Sequence, residues 1–171
     1  NSGSRNVETI ELTEQGTVDG GTGIENLRLH YESDTSAPYN CSSESYAGTE
    51  PQFGATSTTG FSGVGESAVF SDSVGISTVS TLCLYAVYDV ASPAQNGETL
   101  DIVIAAAATD VTVSGAASVG PSGVVDITGS TTIQGAILTQ SHYHWRLDNG
   151  SETTASSATT GVEDTPLTEF A

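Results

Sequence analysis

Apolar and polar residues alternate with a period of two along most of this 171-residue chain, the pattern of β-strands with one buried and one wet face. In Glu8–Glu14, Ile10 and Leu12 point one way while Glu11 and Thr13 point the other. In Ile24–Tyr31, Leu27, Leu29 and Tyr31 oppose Asn26, Arg28 and His30. The strongest segment is Ser77–Val90. There Leu82, Leu84, Ala86, Tyr88 and Val90 line one face, and Cys83, Tyr85 and Val87 line the other. Apolar residues on both faces predict a central strand. Asn96-Gly97 then predicts a hairpin with a slightly widened loop, joining that strand to Thr99–Ala105, because both turn residues tolerate positive φ. Further strands are expected at Thr109–Ser114, Gly123–Thr128, Thr131–Thr139 and His142–Asp148. No segment carries a helical stripe, and Ala105–Ala108 is too short to nucleate a helix alone.

Strands about ten residues apart, punctuated by Gly, Pro and Ser, predict an all-β fold of the immunoglobulin-like or Greek-key sandwich kind. Residues 33–65, with Pro38 and Pro51, read as a long turn-rich excursion anchored by Tyr39, Tyr46, Phe53 and Phe61. One sandwich domain over 1–149 is expected. A Ser/Thr-rich acidic tail follows over 150–171, carrying Glu163, Asp164 and Glu169. It reads either as disordered or as a linker or strand that orders against a neighbouring subunit.

Composition narrows the surroundings. Three arginines face twenty-one Asp and Glu, there is no lysine, and the net charge is −18. Such a surface repels nucleic acid and anionic lipid. Lacking an ε-amine, the chain has no Schiff-base, phosphate-loop lysine or isopeptide chemistry. The same balance suits a secreted surface kept from aggregating by like charge, or a protein of saline surroundings. Cys41 and Cys83 lack the spacing of a zinc or redox site. In an extracellular chain they would pair and close a loop of about 43 residues; the alternative is two separately buried thiols. Asn40-Cys41-Ser42 and Asn149-Gly150-Ser151 are glycosylation sequons, so Asn40 and Asn149 are candidate acceptors. The chain opens on Asn1 and polar residues, the expectation being either a removed signal peptide or a piece of a larger protein. Its longest apolar run, Ile102–Ala108, is too short to cross a bilayer, and no membrane insertion is expected.

Candidate chemistry is sparse. His142 and His144, two apart on a strand, put both imidazoles on one face, where a cation could be shared; the bland alternative is two solvent-facing histidines opposite Tyr143, Trp145 and Leu147. Asp148-Asn149-Gly150-Ser151-Glu152 gathers oxygen ligands on a turn and is a candidate Ca²⁺ site, although a tight Asn-Gly turn accounts for the same residues. Asp148 thus joins His142 and His144 as a metal candidate. No GxSxG elbow, HExxH or glycine loop leading into a helix is present, and among so many acids a carboxylate pair is uninformative, so no catalytic residue is assigned.

The run Tyr143-His144-Trp145-Arg146-Leu147-Asp148-Asn149-Gly150-Ser151-Glu152, with Glu163-Asp164-Thr165 after it, resembles a Y-R-W-R-N-D-D-G-S-E segment, followed by E-D-T, found in large secreted and surface proteins of bacteria. The match covers about the last thirty residues, with His144 in place of Arg and Leu147 in place of Asn. The resemblance implies a segment beside β-sandwich modules of fibre-like architecture, with Tyr143, Trp145 and Leu147 as core anchors and no catalytic role. The combined expectation is a non-enzymatic, extracellular structural subunit of a surface fibre or pilus-like filament, supporting adhesion to a glycan or cell-surface receptor. Its neighbours would be copies of itself, joined by strand complementation, with Ile10 and Leu12 of Val7–Glu14 as donor-strand side chains and the tail after Asp148 as second candidate. The alternative is a carbohydrate- or calcium-binding module of a larger secreted protein.

Overall fold

The structure is a computed structural model and describes residues 5–62, 66–115, 119–126 and 128–135. The chain divides after Gly135 into two units. The expected strand His142–Asp148 lies outside the described residues.

The fold is all-β. Its first strand, β1 (Arg5–Glu14), is central, with β3 (Ser67–Ile76) antiparallel on one edge. On the other edge lie the short strands β6 (Ile102–Val103) and β7 (Val111–Val113). The second sheet pairs β2 (Ile24–Asp34) with β4 (Thr81–Val90). A small third sheet pairs β5 (Thr99–Leu100) with β8 (Thr131–Thr132). One apolar cluster joins the two main sheets: Val7, Ile10 and Leu12 of β1 and Phe70 and Val74 of β3 meet Leu27 and Leu29 of β2, with Phe53 and Phe61 between connections. This two-layer packing follows from the alternation, since each strand has one apolar face to bury.

Two irregularities keep that face inward. Val7 and Ile10 are three residues apart yet both buried, because the register of β1 shifts between Val7 and Thr9 against both β3 and β7. In β2 the shift falls between Glu25 and Arg28, where Asn26 takes φ +50°, and Ile24 and Leu27 both stay inside. Asp89 of β4 closes this second bulge, accepting from Asn26 Nδ2 at 2.9 Å and pairing with Arg28 Nη2 at 3.2 Å.

The excursion has two parts. Residues 51–58 run along one edge of β2, where Phe53 N donates to Leu29 O at 2.6 Å, and Leu27 and Ser57 exchange bonds of 2.9 Å. Phe53 and Phe61 are buried anchors as expected, whereas Tyr39 and Tyr46 are exposed. Residues 35–50 fold over the outer face of β2 and β4. They are held by the Cys41–Cys83 disulfide and by buried Asp34, whose carboxylate accepts from Ser36 N at 2.8 Å and Cys41 N at 3.1 Å.

Several expected elements differ. Strand β3 falls where none is predicted. The Asn96-Gly97 turn forms, but β4 pairs with β2 and β5 with β8, so the expected hairpin is absent. The reason is local: Gly97 alone takes positive φ (+93°), with Glu98 N bonded to Gln95 O at 3.2 Å. That is a type II geometry, not the type I′ turn that a two-residue hairpin needs. Expected strand Thr99–Ala105 is split at Asp101. Thr109–Ser114 begins instead with a single helical turn, α1 (Ala107–Asp110), where the Asp110 carboxylate accepts from Ala106 N at 2.7 Å. Gly123–Thr128 contributes an isolated bridge, Val125 to Ile104.

Candidate functional site

Strand β4 is expected to be central; among the described residues it lies at an edge. Among the described residues its only strand partner is β2. Both faces are nonetheless half-covered. Leu84, Ala86 and Tyr88 turn inward against the core cluster, and Tyr85 lies under the excursion. Cover on both faces gives a strand the apolar composition of a central one, yet the cover comes from a core and a loop, neither of which occupies the hydrogen-bonding edge. Alternate residues of β4 therefore present N–H and C=O groups away from β2.

A groove of about 440 Å³ follows this edge. Its floor is Leu84, Tyr85, Ala86, Val87 and Tyr88; residues 100–102 and 128–131 form the opposite wall, with Tyr46 at one end. The surface is mainly apolar, Asp101 being the acid within it. Leu84 to Tyr88 spans about 14 Å of extended chain at the antiparallel rise.

The Tyr46 end is organised by polar contacts. His30, opposite Tyr85 in the β2–β4 register, stacks obliquely on Tyr46 at 5.2 Å between ring centres, and Tyr46 lies 5.6 Å from Tyr85. Nδ1 of His30 is 2.8 Å from the Glu50 carbonyl. The Glu50 carboxylate accepts from the backbone N–H groups of Ala47, Gly48 and Thr49 at 2.8, 2.8 and 3.0 Å. These bonds, that from Ala47 first, hold its carboxyl below the ordinary value of 4.5. The Tyr85 hydroxyl donates to Glu32. Its pKa is raised, first by desolvation, then by that bond and by the charges of Glu32, Glu44 and Glu50. Asp101 in the wall and Glu32 on the Tyr85 hydroxyl place acidic groups at the groove.

Other candidate residues fall as follows. Cys41 and Cys83 are joined. Asn40 is exposed on the excursion, its Oδ1 accepting from Ser42 N at 3.2 Å. Ile10 and Leu12, the expected donor-strand pair, are 1% and 4% exposed within this chain's own core. Strand β1 is paired on both edges, and the side chains of Val7, Ile10 and Leu12 lie in this chain's own core. His142, His144, Asp148 and Asn149 lie outside the described residues. Among the described residues no three His, Cys, Asp or Glu are placed to hold a metal ion, and no helix is long and apolar enough to cross a membrane. Sequence reasoning missed the groove because its opposite wall comes from residues 100–102 and 128–131, which no local pattern links to β4. No protein family, curated protein or solved structure matches the chain.

Proposed function

We propose that this chain is a non-enzymatic, extracellular structural subunit of a surface fibre or pilus-like filament, which accepts a strand from a neighbour along β4 and supports adhesion. One observation carries the reading: the open edge of β4 coincides with an apolar groove of strand length. Among the described residues a four-stranded sheet faces one of two strands, and two-stranded sheets are marginal unless extended or covered. An added strand would complete main-chain hydrogen bonding while its alternate side chains filled the groove, the physics of β-augmentation. An immunoglobulin-like sandwich completed in this way is the architecture that the proposal implies. The disulfide and the strongly acidic surface suit an extracellular setting.

Sedimentation across a concentration series, combined with hydrogen exchange at β4, tests this. Association with slowed exchange at Leu84–Tyr88 is expected. A monomer at all concentrations and salts would refute it.

The carbohydrate-binding alternative draws on Tyr46, 40% exposed beside Tyr85, whose hydroxyl donates to Glu32. Saturable glycan binding by calorimetry, lost in Tyr46→Ala, is the result that would favour it.

A further inference from the structure

We infer that the β4 groove receives residues 141–148 of a second copy of this chain. The inference rests on the strand-accepting reading above and names the donor. Three observations select this segment, and each is independent of the others.

Length comes first. The groove floor from Leu84 to Tyr88 is five residues long, and the middle of the donor, Tyr143 to Leu147, is the same length, so its apolar side chains would span the floor. Pattern comes second. In the donor, Tyr143, Trp145 and Leu147 alternate with His142, His144 and Arg146. One face is large and apolar, matching the inward side of the groove, where Leu84, Ala86, Tyr88, Leu100 and Ile102 lie. Its other face is polar, with Arg146 its fixed positive charge. A strand with this division can add main-chain bonds to β4 while its apolar side chains enter and its polar ones remain outside.

Charge comes third. Sixteen of the twenty-one acids and two of the three arginines precede residue 136, leaving that part at −14. Two such bodies repel. The chain has only six Arg and His, and three of them fall between His142 and Arg146. With His neutral, residues 127–147 hold Arg146 and no acid, a net charge of +1, against a groove holding Asp101 and the Tyr85 hydroxyl that donates to Glu32. Segment 141–148 balances Arg146 against Asp148, so an acidic neighbour does not repel it as it repels the rest of the chain. A donor on one copy filling a groove on the next is a heterologous contact, and repeated without closure it builds a filament.

Trp145 is the sole tryptophan, so its emission reports directly on donor burial. Full-length chain in 0.5 M NaCl should associate with rising concentration. Trp145 emission should shift to the blue, and amides of Leu84–Tyr88 should slow in exchange, all with one midpoint. The double variant Tyr143→Ser, Trp145→Ser should keep its far-ultraviolet circular dichroism and its disulfide, yet associate about 100-fold or more weakly, as expected when two anchor side chains are removed. Added synthetic peptide of residues 141–148 should bind this variant and restore protection at β4. If the native chain and the double variant associate equally, the donor lies elsewhere and this inference is overturned, while the strand-accepting function stands. If the native chain is monomeric with β4 protected, and the variant is monomeric with β4 unprotected, the segment fills its own groove and the second copy is excluded. A native chain that neither associates nor protects β4 removes both readings.

Discussion

Removing the Cys41–Cys83 bridge separates two contributions that the fold combines. The bridge ties strand β4 to a loop whose aromatic residues, Tyr39 and Tyr46, are both exposed. With a sequence separation of 42, loop-closure entropy assigns the cross-link about 4 kcal/mol against the unfolded chain. For a body of this size that corresponds to a fall in Tm of roughly 10–15 °C. A second effect is local. Without the bridge, residues 35–50 keep the Asp34 and Glu50 hydrogen bonds but few buried side chains, so they should open far below the global unfolding free energy. Residues 51–58, held by Phe53 and by bonds to β2, should stay in place. The double variant Cys41→Ala, Cys83→Ala, with reductant-treated native chain as control, tests both effects by denaturant titration and hydrogen exchange. The expected result is a stability loss of about 3–4 kcal/mol, with exchange accelerated at 35–50 but not at 51–58. A loss below about 1 kcal/mol would place the cross-link among those whose entropic term is cancelled. Equal acceleration of both segments would refute the division of the excursion into a covalently held half and a packed half.

Glycine substitutions distinguish crowding from backbone conformation. Gly60 takes φ +63° and a Cβ there would meet the carbonyl oxygens of Ile24 at 2.5 Å and Gly20 at 2.6 Å, whereas Gly48 takes φ +84° in open space. Gly60→Ala should cost about 2 kcal/mol or more and Gly48→Ala about 1 kcal/mol, read from chemical denaturation. Association should strengthen between 0.05 and 1 M NaCl by sedimentation, because repulsion between bodies of the same sign is screened to about 3 Å at 1 M. Because the folded pKa of Glu50 lies below its ordinary 4.5, its contribution is present above that value and is lost as pH falls through the depressed one. Ala47–Thr49 amide shifts in nuclear magnetic resonance should therefore hold steady down to about pH 5 and move only on further acidification.

Periodicity exposed the strands whose burial is one-sided and hid what depends on edges. Ile10 with Leu12, and Leu27 with Leu29, are legible because each pair lies on one side of a register shift. Strand β3 was illegible for two reasons: Val69 points outward, 62% exposed, which breaks the alternation, and Ser71-Asp72-Ser73-Val74-Gly75 reads as a turn. It is a strand because β1 offers it a complete antiparallel edge, so tertiary pairing overrides local preference. The Asn-Gly turn was placed correctly and its consequence misjudged, since whether one residue or two take positive φ decides if the flanking strands can pair.

The apolar pattern of β4 has the same origin and bears on the proposed function. Side-chain pattern reports what covers the faces of a strand; it carries no information about main-chain groups, which project in the plane of the sheet. A strand with both faces covered and one edge open has the sequence of an interior strand and the bonding capacity of a surface one. Natural proteins usually blunt such an edge with lysine, proline or an inward charge. The lining of β4 from Leu84 to Tyr88 carries none of these, and the chain contains no lysine to supply one. What protects it from indiscriminate pairing is long-range: a body at −14 keeps most copies apart. An extended segment that is apolar on one side and carries no net negative charge suits both the groove and the field around it. Adding one acid to that segment, as in Arg146→Glu, should therefore weaken association at low salt and do so much less at 1 M NaCl, where screening removes the field but leaves the groove. An equal loss at both salt concentrations would show that Arg146 acts by contact, and that the field has no part in choosing the donor.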